Sequence, residues 1–117
     1  MNILSLFMII LGLLNLYKHW IQNKNMVTKV NASHILVKTE QEALACLTYL
    51  KTKTFEELAR EKSICPSGKK GGSLGWFGRG QMVKEFENAA FSGKKGQVVG
   101  PVKSEFGYHL IKIIDIE

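Results

Sequence analysis

The chain has 117 residues, room for one domain of ordinary size. With 45% apolar and 22% charged residues, its composition excludes a disordered tail and a multi-span membrane protein. The formal charge is +6, yet setting aside Lys18, Lys24 and Lys29, which precede the first acid at Glu40, leaves about +3 on the rest, a mild excess that falls short of a nucleic-acid footprint.

Residues 3–16 form an almost unbroken apolar run, interrupted by Ser5, Gly12 and Asn15. As a helix it would be about 21 Å long, short of the roughly 30 Å bilayer core. Extending it from Met1 to Ile21 supplies about the twenty residues a span needs. Tyr17 and Trp20 would then sit at the headgroups, with Lys18 and His19 reaching the interface. The basic residues all follow the apolar run over residues 3–16, so the expectation is a membrane anchor over residues 1–21 and a domain facing the cytoplasm. Two other readings compete. Met26 offers a second start, and residues 26–117 make a complete small domain. A cleaved secretory signal is disfavoured, because no Lys or Arg precedes the apolar run and no A-x-A-like site follows it. The expected division is therefore an apolar segment over 1–25 and a domain over 26–117, monomeric and in a reducing compartment.

Residues 30–38 read as a strand. Thr39 and Glu42 then have the spacing of a capping box, and Ala43, Leu44, Leu47 and Leu50 follow at helical spacing. Cys46 lies inside that apolar pattern as a small core residue. Thr54 and Glu57 repeat the box before a second helix that buries Phe55, Leu58 and Ala59. Between Ser67 and Gly80 glycine recurs six times, enclosing a short strand over residues 73–77. Residues 82–91 read as a third helix with Val83, Phe86, Ala89 and Ala90 turned inward, ended by Gly93 and Gly96. Strands over 98–102 and 108–116 complete the chain. The order β-α-α-β-α-β-β is not a βαβ alternation, so the expected class is α+β, a four-stranded mostly antiparallel sheet flanked by helices.

Two histidines, His34 and His109, lie in the first and last strands. If those strands are neighbours, the imidazoles can face each other, and each needs a partner because a buried unmatched polar group costs about 1–3 kcal/mol. A His–His hydrogen bond with Cys65 or Ser104 completing a network meets that need, and two satisfied core histidines are the plainest reading. His34, His109 and Cys65 lack the close spacing of a zinc site. A Cys–His protease is disfavoured too, since Pro66 follows Cys65 and supplies no N–H for an oxyanion hole. Neither phosphate-binding glycine motif occurs, and no C-x-x-C pairs the two cysteines. No cofactor and no metal is expected.

Four segments together resemble the parvulin family of prolyl isomerases. They are His34-Ile35-Leu36-Val37; Ser63-Ile64-Cys65-Pro66-Ser67-Gly68 leading to Gly71-Gly72-Ser73-Leu74-Gly75; Gly80-Gln81-Met82-Val83 with Phe86-Glu87; and Gly100-Pro101-Val102 with Phe106-Gly107-Tyr108-His109. They stand in the family's order and spacing and cover about three quarters of the chain, without the N-terminal segment. The resemblance implies a parvulin/FKBP-like fold and cis/trans isomerisation of X–Pro bonds in polypeptide segments. It implies that His34 and His109 are the paired core histidines, Cys65 the active-site cysteine and Ser104 the hydroxyl beside them. Leu74, Met82 and Phe86 would then form the proline pocket, with Phe106 on its border. Ser73 stands where the family commonly has Asp, which alters the charge expected near Cys65. Lys84 stands where many bacterial members have Pro. Lys38 passes straight into the Thr39 helix, without the long basic loop of phosphate-reading members, so no phosphate requirement is expected. The rival reading is a non-catalytic peptide-binding chaperone or basic adaptor on the same fold. Lys69, Lys70, Lys94, Lys95 and Lys103 are its only hint of nucleic acid, and such a surface is ordinarily a solvated face.

Overall fold

The computed structural model describes residues 9–16 and 27–117. Residues 9–16 are helical, and among the described residues no helix is long and apolar enough to cross a membrane. Most of the expected anchor over residues 1–21 lies outside the described residues.

The remaining elements run β1 (Lys29–Val37), α1 (Glu40–Tyr49), α2 (Phe55–Lys62), a 3-10 turn (Pro66–Lys70), β2 (Ser73–Gly78), α3 (Lys84–Ser92), β3 (Val98–Ser104) and β4 (Gly107–Ile116). The strands form one sheet in the order β2-β1-β4-β3, every pairing antiparallel. First and last strands are therefore the central pair, which explains why their sequences are the most continuously apolar: both sides of each are covered. On one face Ile35, Val37 and Leu110 pack with Ala43 and Cys46 of α1 and with Phe55, Leu58 and Ala59 of α2. On the other, Val30, Ala32, Ile111 and Ile113 pack with Phe77 of β2 and with Phe86 and Ala90 of α3.

Local chemistry accounts for the helix starts. Thr54 caps α2 with a complete box: its hydroxyl accepts from Glu57 N at 3.1 Å, and Glu57 returns to Thr54 N at 3.5 Å. Thr39 forms only half of the expected one. Its hydroxyl accepts from Glu42 N at 3.2 Å, but the Glu42 carboxylate reaches one residue further back, to Lys38 N. Leu44 also departs from expectation and stands exposed. At about 100° per residue, a line through Ala43, Cys46, Leu47 and Leu50 leaves Leu44 off the inward face. The third helix starts two residues later than its periodicity predicts, so Met82 precedes it and Val83 is its N-cap residue. Thr54→Ala is expected to cost about 1 kcal/mol by removing one N-cap acceptor. Urea unfolding of the variant measures this; an unchanged midpoint would mean that the cap is redundant.

Candidate functional site

Register decides where the histidines meet. His34 is paired with Ile111 and His109 with Leu36, so the two imidazoles are diagonal neighbours on one face of the central pair. That face is the one covered by α3. Their Nδ1 atoms are 3.1 Å apart, and the rings are nearly parallel at 17° with centroids 5.3 Å apart. Phe86 meets both rings edge-on, at 5.5 Å from His34 and 5.3 Å from His109. This aromatic cover keeps water out and destabilises the charged imidazoles. Burial, reinforced by the neighbouring His109, pushes the His34 pKa down to about 4, and burial likewise lowers that of His109. Both rings are thus neutral near pH 7, each with one N–H donor and one acceptor.

The other partners set the tautomers. Ser104 Oγ lies 2.6 Å from His109 Nε2 and itself accepts from Phe106 N at 3.2 Å. Ser67 Oγ lies 3.1 Å from His34 Nε2 and donates to Cys65 Sγ at 3.2 Å. One direction uses each of these protons once. The Ser104 hydroxyl donates to His109 Nε2, and His109 Nδ1–H donates to His34 Nδ1. His34 Nε2–H donates to Ser67, and the Ser67 hydroxyl to Cys65. Ser104 completes the network as the sequence suggested. Cys65 does so only at one remove, because Ser67 stands between it and His34. Ser67 belongs to the Ser63–Gly68 motif, but the motif alone does not give it this place. A hydroxyl two residues beyond a cysteine carries no periodic signal, and only the turn at Pro66 folds it back.

That turn is held from both sides. The Ser63 hydroxyl accepts from Leu36 N and Cys65 N, and Ile64 N donates to Leu36 O at 2.8 Å, which anchors Cys65 beside β1. The 3-10 turn ends at Gly71 in a left-handed conformation. Gly72 then donates back to Ser67 O and accepts from His34 N. A Cβ at Gly72 would run into the His34 carbonyl, and its φ of +86° adds strain for any other residue. Part of the glycine richness therefore lets this loop close onto the strand at the histidine.

Over the pair opens a mostly apolar cleft of about 690 Å³. Leu74 of β2, Met82 before α3, Phe86 of α3 and Phe106 of the β3–β4 turn line it, with His34, His109 and Cys65. Phe86 is buried at its base, and Phe106 is 59% exposed at its rim. Seven of the eight site residues expected from sequence thus line one cleft. The eighth, Ser104, is not on the lining and reaches it through His109 and through Phe106 N. Leu36, Ile64, Pro66, Gln81 and Val83 line it as well and were not among the expected site residues. Gln81 Oε1 accepts from Gly78 N at 2.8 Å, bracing the turn that carries Met82. The cleft has the size of an ordinary ligand site: apolar walls with a few convergent polar groups.

Known proteins resemble this chain in sequence and fold. Residues 27–115 match the family model described as Rotamase: PPIC-type PPIASE domain. The chain is 53% identical over 96 residues to the foldase protein PrsA of Geobacillus sp. (strain WCH70), covering 80% of this chain and 35% of that protein. It superposes on NmPin, the parvuline of Nitrosopumilus maritimus, with a TM-score of 0.68 and 49% identity, covering 75% of this chain and 97% of that one. PrsA from Bacillus anthracis gives a TM-score of 0.74 at 45% identity, over 78% of this chain and 43% of that one. The chain spans about a third of the length of the first curated relatives it matches. A family match over residues 27–115, with the fold shared with these solved structures, makes this protein a member of the PPIC-type peptidyl-prolyl isomerase domain family.

Proposed function

We propose that this domain catalyses cis/trans isomerisation of X–Pro bonds in polypeptides and so assists their folding. The observation that carries the reading is the apolar cleft with Phe86 at its base and a neutral, fully partnered histidine pair beneath it. Rotation about an X–Pro bond breaks amide resonance, with a barrier of roughly 18–20 kcal/mol. No covalent bond has to form. The site needs to favour the twisted amide over both planar forms, and a thousandfold acceleration requires only about 4 kcal/mol of that preference.

Leu74, Met82 and Phe86 would hold the pyrrolidine ring while the preceding carbonyl swings toward Cys65 and the rim at Phe106. In the twisted state the carbonyl loses conjugation and the nitrogen regains its lone pair. Oriented dipoles in a site cleared of water stabilise that state. The histidine network supports the floor of the cleft and supplies fixed dipoles rather than a travelling proton.

A protease-coupled assay with a short X–Pro peptide tests the reading on the full chain. Acceleration that rises in proportion to enzyme and saturates with substrate is the expected result. Binding without acceleration would turn the domain into a peptide-holding module.

No preference for phosphorylated substrates is expected. Between the end of β1 at Val37 and the start of α1 at Glu40 only Lys38 and Thr39 intervene, which leaves no room for a basic loop. Matched Ser-Pro and phosphoSer-Pro peptides should be turned over within about twofold of each other; a tenfold preference, about 1.4 kcal/mol, for the phosphopeptide would contradict this.

A further inference from the structure

A second groove of about 480 Å³ lies beside the isomerase cleft. Val37, Cys46, Tyr49 and Ile64 form its apolar surface. Ile64 lines both grooves, so they share this side chain as a wall, and the residue after it is Cys65. Ile64 is 52% exposed and Tyr49 46%, so apolar surface is open to solvent on this side of the shared wall. Burial raises the Cys46 thiol above its ordinary pKa, so the thiol stays uncharged and acts as part of the apolar wall.

The charges around this groove are unequal in availability. Glu61 is held by Lys53 at 2.6 Å, and Glu42 accepts from Lys38 N. Lys38 and Lys62, which also line the groove, make no ion pair among the described residues. The groove thus offers two ammonium groups outside any ion pair among the described residues, that of Lys62 lying over the Tyr49 ring at 6.0 Å from its centroid, while Glu61 is paired with Lys53 and Glu42 is turned to a backbone N–H.

We infer that this groove is an extended substrate subsite: it takes an apolar side chain followed by a carboxylate from the same polypeptide whose proline occupies the cleft. The inference rests on the isomerase reading above. An extended chain advances about 3.3–3.6 Å per residue, so a polypeptide crossing Ile64 brings residues a few positions from the proline over Tyr49. An aromatic side chain is the best filling for that wall, with its carboxylate neighbour between Lys38 and Lys62. Such a subsite would let the domain select segments rather than isolated X–Pro bonds. The groove lies on the face of β1 opposite α3, a surface that the proline pocket does not use.

The test compares the full chain with its Tyr49→Ala and Lys62→Glu variants on three substrates. One is a tetrapeptide with a central X–Pro bond. The other two are twelve-residue peptides carrying Phe-Glu three residues before or three residues after the proline. The expected result is that one of the long peptides has a kcat/KM about tenfold above the tetrapeptide's, and that both variants remove this advantage while leaving the tetrapeptide within about twofold. Equal loss on all substrates, or no advantage for either long peptide, overturns the inference. Amide chemical shifts give a readout independent of catalysis. Titration with the preferred long peptide should move Ala45, Tyr49 and Lys62 together with Phe86 and His109, whereas the tetrapeptide moves only the second set. If the chain fails to accelerate the tetrapeptide yet the long peptide still moves Ala45, Tyr49 and Lys62, the subsite stands and the isomerase reading falls. If the long peptide shifts the cleft alone, the subsite falls and the isomerase reading stands.

Discussion

Phe86→Ala is expected to give the largest loss of any single truncation in the cleft. The ring is almost fully buried and touches three others: both imidazoles edge-on, and Phe77 with centroids 5.8 Å apart. Removing it leaves a cavity and admits water to the histidine pair. A cost of about 3–5 kcal/mol is expected from the truncation itself, a large part of the stability of a domain this size. Catalysis should fall as well, because the pyrrolidine ring loses the base of its pocket in every state of the reaction. Cys65→Ser is the matched control. Serine can still accept from the Ser67 hydroxyl, so the network survives, and activity is expected to stay within about tenfold, or 1.4 kcal/mol, of the parent. Thermal melting and kcat/KM for both variants decide the matter. If Cys65→Ser abolishes turnover as fully as Phe86→Ala while melting like the parent, the thiol attacks the carbonyl, and rotation alone is not the mechanism.

Replacing either histidine with asparagine is expected to cost stability before it costs activity. His34→Asn leaves His109 Nδ1 facing a gap, and His109→Asn does the converse to His34. Each leaves a buried polar atom unmatched, a loss on the order of 1–3 kcal/mol. Activity per folded molecule should be largely kept, because amide rotation needs no net proton transfer. A loss above a hundredfold in a variant that melts like the parent would make the histidine a catalytic group. The same pair predicts a pH dependence. The folded state holds His34 neutral down to about pH 4, whereas the unfolded chain takes up a proton near 6.5. Below 6.5 the unfolded state therefore binds more protons, and stability falls as the solution is acidified. The contribution is complete above about pH 6.5 and gone below about pH 4. Between pH 7 and pH 5 His34 alone should remove about 2 kcal/mol, and His109, lowered in the same direction, adds to it. Urea unfolding at pH 7, 6 and 5 measures the slope, which the double His→Asn variant should flatten. The turnover rate, by contrast, should stay level from pH 6 to pH 8; a rate following one ionisation in that range would show a proton in flight.

Chain order, fold class and most of the site were legible before any coordinates. Apolar periodicity located β1, α1, α2, α3 and β4, because burial on one face leaves its period in the sequence. The Thr54 and Glu57 spacing marked a helix start that the structure bears out. Four motifs in register pointed to seven residues that line one cleft, His34 and His109 among them. What distance in sequence could not carry was settled by packing. The pairing of β1 with β4 over eight residue pairs determines that the histidines meet diagonally through their Nδ1 atoms. The 3-10 turn after Cys65 determines that Ser67, not Cys65, bonds to His34. The Glu42 carboxylate went to Lys38 N instead of closing the box on Thr39, a choice of rotamer that no spacing encodes. The second groove past Ile64 was equally invisible, since its walls come from β1, both ends of α1 and the end of α2 and follow no common period. Periodicity and capping report what each segment does with its own neighbours. The network beneath the cleft and the surface beside it depend on which segments the folded chain sets against one another, and that was decided by the strand register and by the glycine that lets the loop at Gly72 lie against His34.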